Sequence, residues 1–269
     1  MFERVINLTE HDKVFIMNSD KTVGCGYVND DGHLYYINKE EGKAYQLPDK
    51  YKETPICVYP SVGGLRENMI MVSLLGEVDL QYHHKAYPAA GMWGWLNLDG
   101  EEIVSPQYIY AYGFENGKAM VCKGEWNINE DYEFWSDVEN WGVVDTQNNV
   151  IIPLEYDEIC GIENTDRYFL CHKSGWENGY QIIYDIEEKC EIAEKQHYYD
   201  SGYMFNECFL EGNYLVFDDQ ITSFETSYTS IYSIRDKKWI IEHEVVEEVE
   251  FLDETKLAIR KDGKEIMVY

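Results

Sequence analysis

The densest grouping of reactive side-chain types lies between Lys123 and Trp141. There the chain reads Glu125-Trp126-Asn127-Ile128-Asn129-Glu130-Asp131-Tyr132-Glu133-Phe134-Trp135-Ser136-Asp137-Val138-Glu139, six carboxylic acids and four large aromatics without a basic residue. Aromatic rings supply contact area at protein interfaces, and carboxylates supply orientation and association rate toward a cationic partner. Trp126, Glu130, Asp131, Tyr132, Glu133, Trp135, Asp137 and Glu139 are therefore the candidate partner-binding residues. A long hairpin whose rings fold back onto a sheet is the competing reading of the same segment.

Other groupings point to chemistry less well. His83-His84 near Glu77 and Asp79 suggests a metal site, but adjacent residues on a strand point to opposite faces, and no second ligand pair follows at a metal-binding spacing. Cys171-His172 suggests a nucleophile and base, yet the same alternation separates them, because a working pair is assembled in space and not by adjacency. The acids of Glu242-His243-Glu244-Val245-Val246-Glu247-Glu248-Val249-Glu250 could include a general acid and base, but carboxylates at such separations arise on any surface this acidic. Trp93, Trp95 and Trp141 could stack on a sugar or base; packing between sheets is the expected role of a Trp next to a Gly in a strand. No phosphate-cradling glycine loop, nucleophile elbow or HExxH helix is present. The sequence thus assigns no catalytic residue, no metal and no cofactor.

Charge narrows the partners. The 269 residues hold 51 Asp and Glu against 22 Lys and Arg, a net charge of −29. Such a surplus repels phosphate backbones and anionic bilayers, so direct nucleic-acid and membrane binding are not expected. A chain that is 45% hydrophobic and 15% aromatic nevertheless has the material for a core, which separates it from acidic disordered sequences. The first residues, Met1-Phe2-Glu3-Arg4-Val5-Ile6, show no secretory-signal pattern, and no stretch is apolar for long enough to span a bilayer, so a cytoplasmic location is expected. Seven scattered cysteines without a CxxC pair read as reduced thiols.

The elements that must carry these residues are strands. Tyr occurs 23 times and Ala only eight, a bias toward β-structure. Short apolar runs at 13–17, 34–37, 69–72, 168–171, 181–184 and 214–217 are separated by Asp31-Gly32, Glu41-Gly42, Asp99-Gly100, Asn148-Asn149 and Asp262-Gly263. That alternation of short runs with turn residues predicts a succession of hairpins.

The hairpins repeat. Trp93-Gly94-Trp95-Leu96-Asn97-Leu98-Asp99-Gly100-Glu101-Glu102-Ile103-Val104-Ser105-Pro106-Gln107-Tyr108 aligns with Trp141-Gly142-Val143-Val144-Asp145-Thr146-Gln147-Asn148-Asn149-Val150-Ile151-Ile152-Pro153-Leu154-Glu155-Tyr156. Each copy is a strand, a polar turn, an apolar strand, a Pro and an aromatic corner, and a spacing near 48 residues falls in the range of repeat architectures. Weaker copies, without Trp-Gly, begin at Tyr36, Tyr184 and Tyr232, and Leu257–Tyr269 reads as a unit cut short after two strands.

Over residues 67–162 this pattern resembles the bacterial WG, or KWG, repeat family, although Asn148-Asn149 replaces Asp-Gly and both Trp-Gly units carry long insertions. The resemblance implies a structural repeat and no particular reaction. The expected fold is all-β: one domain over 1–269 forming a β-propeller of about six small blades, closed by the N-terminal strand, with an open β-solenoid as the alternative. The expected function is a non-catalytic protein-binding module whose acidic surface engages a protein with a basic surface, with inhibition of a basic effector as its sharper form. The alternative is a hydrolase, such as a carbohydrate-active enzyme, using carboxylates in a propeller channel.

Overall fold

The computed structural model describes residues 2, 4–16, 22–51, 65–75, 91–128, 134–135, 139–173, 179–196, 207–220 and 227–268. Its chain divides into two compact units, Met1–Glu155 and Tyr156–Tyr269. The expected all-β repeat is what forms: among the described residues there are six antiparallel sheets in chain order, plus one two-stranded hairpin.

The first sheet holds β1 (Arg4–Asn7), β2 (Val14–Ile16), β3 (Val23–Val28), β4 (Tyr35–Asn38) and β5 (Lys43–Gln46), and a 3₁₀ turn follows at Asp49–Tyr51. The second holds β6 (Leu65–Arg66), β7 (Met69–Leu75), β8 (Gly91–Asn97) and β9 (Glu102–Tyr108). In the third, β10 (Tyr110–Ala111) and β11 (Lys118–Gly124) are followed by an inserted hairpin, β12 (Asn127–Ile128) with β13 (Phe134–Trp135); β14 (Glu139–Asp145) and β15 (Val150–Tyr156) then complete the sheet.

In the second unit, β16 (Glu158–Gly161), β17 (Tyr168–Lys173), β18 (Tyr180–Asp185) and β19 (Cys190–Gln196) make the fourth sheet. The fifth comprises β20 (Glu207–Glu211), β21 (Tyr214–Gln220), β22 (Ser227–Ser233) and β23 (Lys238–Val245). The sixth has three strands, β24 (Glu248–Asp253), β25 (Lys256–Lys261) and β26 (Lys264–Val268).

The turn residues close these hairpins for the reason their types suggest. Gly32, Gly42, Gly100, Asn148, Asp262 and Gly263 all have positive φ, a region in which Gly pays no Cβ penalty and Asn and Asp are tolerated. Alternation along the strands then sends apolar side chains to the faces that meet. Within the first unit, Leu34, Tyr36, Ile70, Val72 and Leu96 fill the space between the first and second sheets. Trp95, Val104, Tyr108, Phe114, Val121 and Val144 fill that between the second and third. Within the second unit, Leu170, Ile183, Leu215 and Phe217 join the fourth and fifth sheets, and Val216, Ile231, Leu257 and Ile259 join the fifth and sixth.

The N-terminal strand requires a correction. It was expected to complete the cut-short last unit and so close the ring. Arg4–Asn7 instead pairs in register with Lys43–Gln46, as an extra outer strand of the first sheet. Covering β5 satisfies that sheet's own edge, and Ile6 gains contact with the apolar cluster of Val28, Tyr35, Ile37 and Ala44.

The repeated aromatic corner is a latch. Tyr108, at the end of the second sheet, donates its hydroxyl hydrogen bond to Asn148 Oδ1 in the third at 2.7 Å, and Tyr51, just after the first sheet, donates to Glu102 Oε2 in the second at 2.7 Å. At the head of the second unit, Tyr156 donates to Glu191 Oε1 at 2.8 Å. Lys50 and Ser105 Oγ also donate to Glu102, and these donors hold its carboxyl down at about 2, below the ordinary 4.5. Because the folded value is depressed, the Glu102 contribution is complete above pH 4.5 and is lost as pH falls toward about 2. Glu102→Gln is therefore expected to lower the urea midpoint at neutral pH while flattening the acid limb of the stability curve; an unchanged acid limb would remove the latch from the account.

Candidate acidic and aromatic binding face

The third sheet builds the site from its register. Tyr110 in β10 stands opposite Cys122 in β11, which stands opposite Trp141 in β14, so the three side chains share one face. Cys122 is small and fully buried, and the larger rings close over it: Tyr110 and Trp141 stack with centroids 5.8 Å apart and planes 8° from parallel. Tyr112, two residues along the same face, leans on Trp141 at 5.9 Å. Trp126 leaves the end of β11 and sets its ring edge-on to Tyr110 at 5.1 Å. Glu139, at the start of β14, accepts a hydrogen bond from Trp141 Nε1 at 3.3 Å.

The electrostatics follow from that packing. Burial, reinforced by the Glu139 carboxylate, pushes the Tyr110 phenol up to about 12. The same two causes push the Cys122 thiol up to about 12, so it is a packing group and not a nucleophile. A half-exposed group of rings beside a carboxylate is chemically suited to a cation, which gains from the ring faces and from the negative charge together. An ammonium or guanidinium side chain fits that description.

The structure brings together two of the residues singled out from the sequence, Trp126 and Glu139. The backbone of Trp135 lies in β13 opposite Asn127, in the hairpin that the insertion forms. Glu130, Asp131, Tyr132, Glu133 and Asp137 fall outside the described residues. Sequence reading missed Tyr110 and Tyr112. The alternation of Tyr110-Ala111-Tyr112 was the available signal, since residues two apart share one face of a strand.

The alternatives fare differently. His83, His84, Glu77 and Asp79 lie outside the described residues, and among the described residues no cluster of His, Cys, Asp and Glu could hold a metal ion. Cys171 is buried opposite Ile159 and His172 is half-buried opposite Glu158, on the other face of β17 as alternation requires. Burial, with Cys160 and Glu191 nearby, raises the Cys171 thiol. In the acidic run of the last strands, Glu244 pairs with Lys261, Glu248 pairs with Arg260 at 2.7 Å, and Glu247 accepts the amide of Gly263 at 2.9 Å. Every described carboxyl whose ionisation is clearly displaced is displaced downward: Asp12, Glu102, Asp145, Asp185, Asp236 and Asp253. Those shifts suit carboxylates that accept hydrogen bonds and pair with cations.

A second polar group lies in the other unit. Lys195 is buried, donates to Ser230 Oγ at 3.1 Å and sits 5.0 Å from the centre of the Phe217 ring. His243 adopts a left-handed φ of 50°, donates its backbone N–H to Ser230 Oγ at 2.9 Å and stacks on Tyr228 at 4.3 Å. A lysine within an otherwise mixed strand reads as a surface residue, so nothing in the sequence marked this group.

Comparison with known proteins adds the repeat family. The family described as WG containing repeat matches residues 93–125 and 141–164, the two units that carry Trp-Gly. No curated protein matches the chain. Among solved structures it is similar to a eukaryotic initiation factor, with 12% identity, a TM-score of 0.36, and 87% of this chain and 65% of that one covered. It is also similar to TolB from Acinetobacter baumannii, with 12% identity, a TM-score of 0.34 and coverages of 95% and 64%. An oligogalacturonate lyase from Vibrio parahaemolyticus gives 10% identity, a TM-score of 0.31 and coverages of 98% and 97%. The chain thus spans about two thirds of the length of the first two.

Proposed function

We propose that this chain, a WG repeat protein, is a non-catalytic cytoplasmic binding module that captures a protein with a basic surface. The observation that carries the reading is the ring group of Tyr110, Tyr112, Trp126 and Trp141 beside Glu139, at the root of an insertion with six acids and no base. Rigid strands position the rings, and the carboxylates of the insertion attract the partner before contact. A basic side chain of the partner would then lodge against the rings. In the sharper form of the proposal, the bound partner is a basic effector whose nucleic-acid-binding surface is covered, so that the chain acts as an inhibitor.

The test exchanges residues 125–138 for a short glycine-containing turn joining β11 to β14. Partner capture by the immobilised protein is expected to disappear while the unfolding free energy from urea titration stays within about 1 kcal/mol of the parent, since surface changes cost little. The parent complex is expected to weaken steeply between about 50 and 300 mM salt. Capture that survives the exchange, or that ignores salt, would refute this assignment.

A further inference from the structure

The outer edges of the six sheets are not alike. In the first, β1 covers β5. In the second, β9 carries Pro106 and its register with β8 is broken twice. In the third, β15 carries Pro153. In the fourth and fifth, the registers of β19 and β23 are shifted by bulges. Proline, bulges and covering strands are the means by which natural sheets avoid taking on another strand.

The outer edge of the sixth sheet has, among the described residues, neither proline nor bulge nor covering strand, the sheet's one register shift lying inside it between β24 and β25. This sheet has three strands where the others have four or five. Its last strand, β26, runs through five consecutive pairs with β25, from Leu257↔Val268 to Lys261↔Lys264, with no shift and no Pro. Among the described residues, β26 pairs with no strand besides β25. Its side chains show the same incompleteness. Ile266 stands directly opposite Ile259, which is 1% exposed on the face packed against the fifth sheet, yet Ile266 itself is 49% exposed. Met267, on the opposite face, is 38% exposed.

We propose that the edge of β26 accepts an extended, net-basic segment of a partner polypeptide as a fourth strand. Main-chain hydrogen bonds along the edge would supply affinity, and alternate side chains would supply selectivity. Apolar side chains of the segment would cover Ile266 and Val268 on the packed face, and basic ones would lie on the face of Glu265 and Met267. Charge selects this occupant over a second copy, because pairing two edges would join two chains of −29 each. The cations of β25 do not oppose a basic segment: Lys256 pairs with Asp253 at 3.6 Å, Arg260 with Glu248 and Lys261 with Glu244. This edge is built from residues of the sixth sheet alone.

A synthetic peptide alternating lysine and valine is the probe, with a glutamate and valine peptide as the control. Backbone amide exchange across 264–268 is expected to slow on adding the lysine peptide, and Ile266→Lys is expected to weaken its binding about tenfold, the effect of losing cross-strand contacts and adding like charge. If Ile266→Lys unfolds, Met267→Lys on the other face reads the same loss. The variant lacking residues 125–138 is expected to bind the peptide like the parent, which separates this site from the insertion. The proposal is overturned if the lysine peptide leaves those amides unprotected or if the glutamate peptide binds as well. Protection that grows with protein concentration in the absence of peptide also overturns it, by giving the edge to a second copy.

Discussion

Gly94→Ala is expected to cost about 3 kcal/mol or more of folding stability, the upper part of the range for overpacking, because the obstruction is backbone and cannot rotate away. A Cβ built on Gly94 would lie 2.3 Å from the carbonyl oxygen of Val104, 2.6 Å from the nitrogen of Pro106 and 2.9 Å from its Cα. All three atoms belong to β9, the strand that pairs with β8, and the β8–β9 register already shifts on both sides of Trp95. Relief would require β9 to move as a unit, carrying Val104 and Tyr108 out of the cluster between the second and third sheets. Gly142 holds the equivalent place in the third sheet, where a Cβ would meet Ile152 O at 2.7 Å and Leu154 Cγ and Pro153 O at 2.9 Å. One of those three is a side-chain atom that can turn aside, so Gly142→Ala should cost less than Gly94→Ala. Urea unfolding of both variants checks the order. A Gly94→Ala midpoint indistinguishable from the parent would mean that β8 and β9 do not approach as closely as described.

The Trp-Gly signature is thus legible as a packing device, and the reason lies in local chemistry that a sequence records. Turns were legible for the same reason: Asp99-Gly100, Asn148-Asn149 and Asp262-Gly263 announce their φ requirement in their residue types, and the hairpins follow. What a strand pairs with is a tertiary matter. Arg4-Val5-Ile6-Asn7 has the same composition whether it covers the first sheet or the last, so its partner β5 could not be read from it. Depth is equally hidden. Trp93 and Trp95 lie on one face of β8, two residues apart, yet only Trp95 is fully buried, because position relative to the neighbouring sheet sets burial. The ring group of the third sheet shows both sides of this limit. Its carboxylates and Trp126 stand out in one continuous segment, whereas Tyr110 and Tyr112 join them only through the pairing of β10, β11 and β14. The acidic excess is legible at once, but the regular edge of β26 emerges only from the registers of six sheets together.

Trp95→Ala should lower stability by roughly 3–5 kcal/mol, the range for deleting a buried aromatic from a core that cannot fully collapse. Trp95 is 1% exposed, with its ring 4.9 Å from that of Phe114 and 6.2 Å from that of Tyr108. Phe114 belongs to the third sheet's side of the cluster and Tyr108 to the second's, so the ring is shared by two sheets and its loss loosens both. The indole Nε1 finds no hydrogen-bond acceptor among the described residues, so Trp95→Phe gives up no bond and should cost less than about half as much as Trp95→Ala. Trp141 provides the contrast: it is half-buried, it stacks on Tyr110, and its indole donates to Glu139. Trp141→Ala should therefore lose partner binding out of proportion to its smaller cost in stability, whereas Trp95→Ala should lose binding only as the fold itself is lost. Urea midpoints measured beside partner affinity for the two variants test the distinction. If Trp141→Ala destabilised as much as Trp95→Ala while still capturing the partner, the ring group of the third sheet would be core packing and the binding face would have to lie elsewhere.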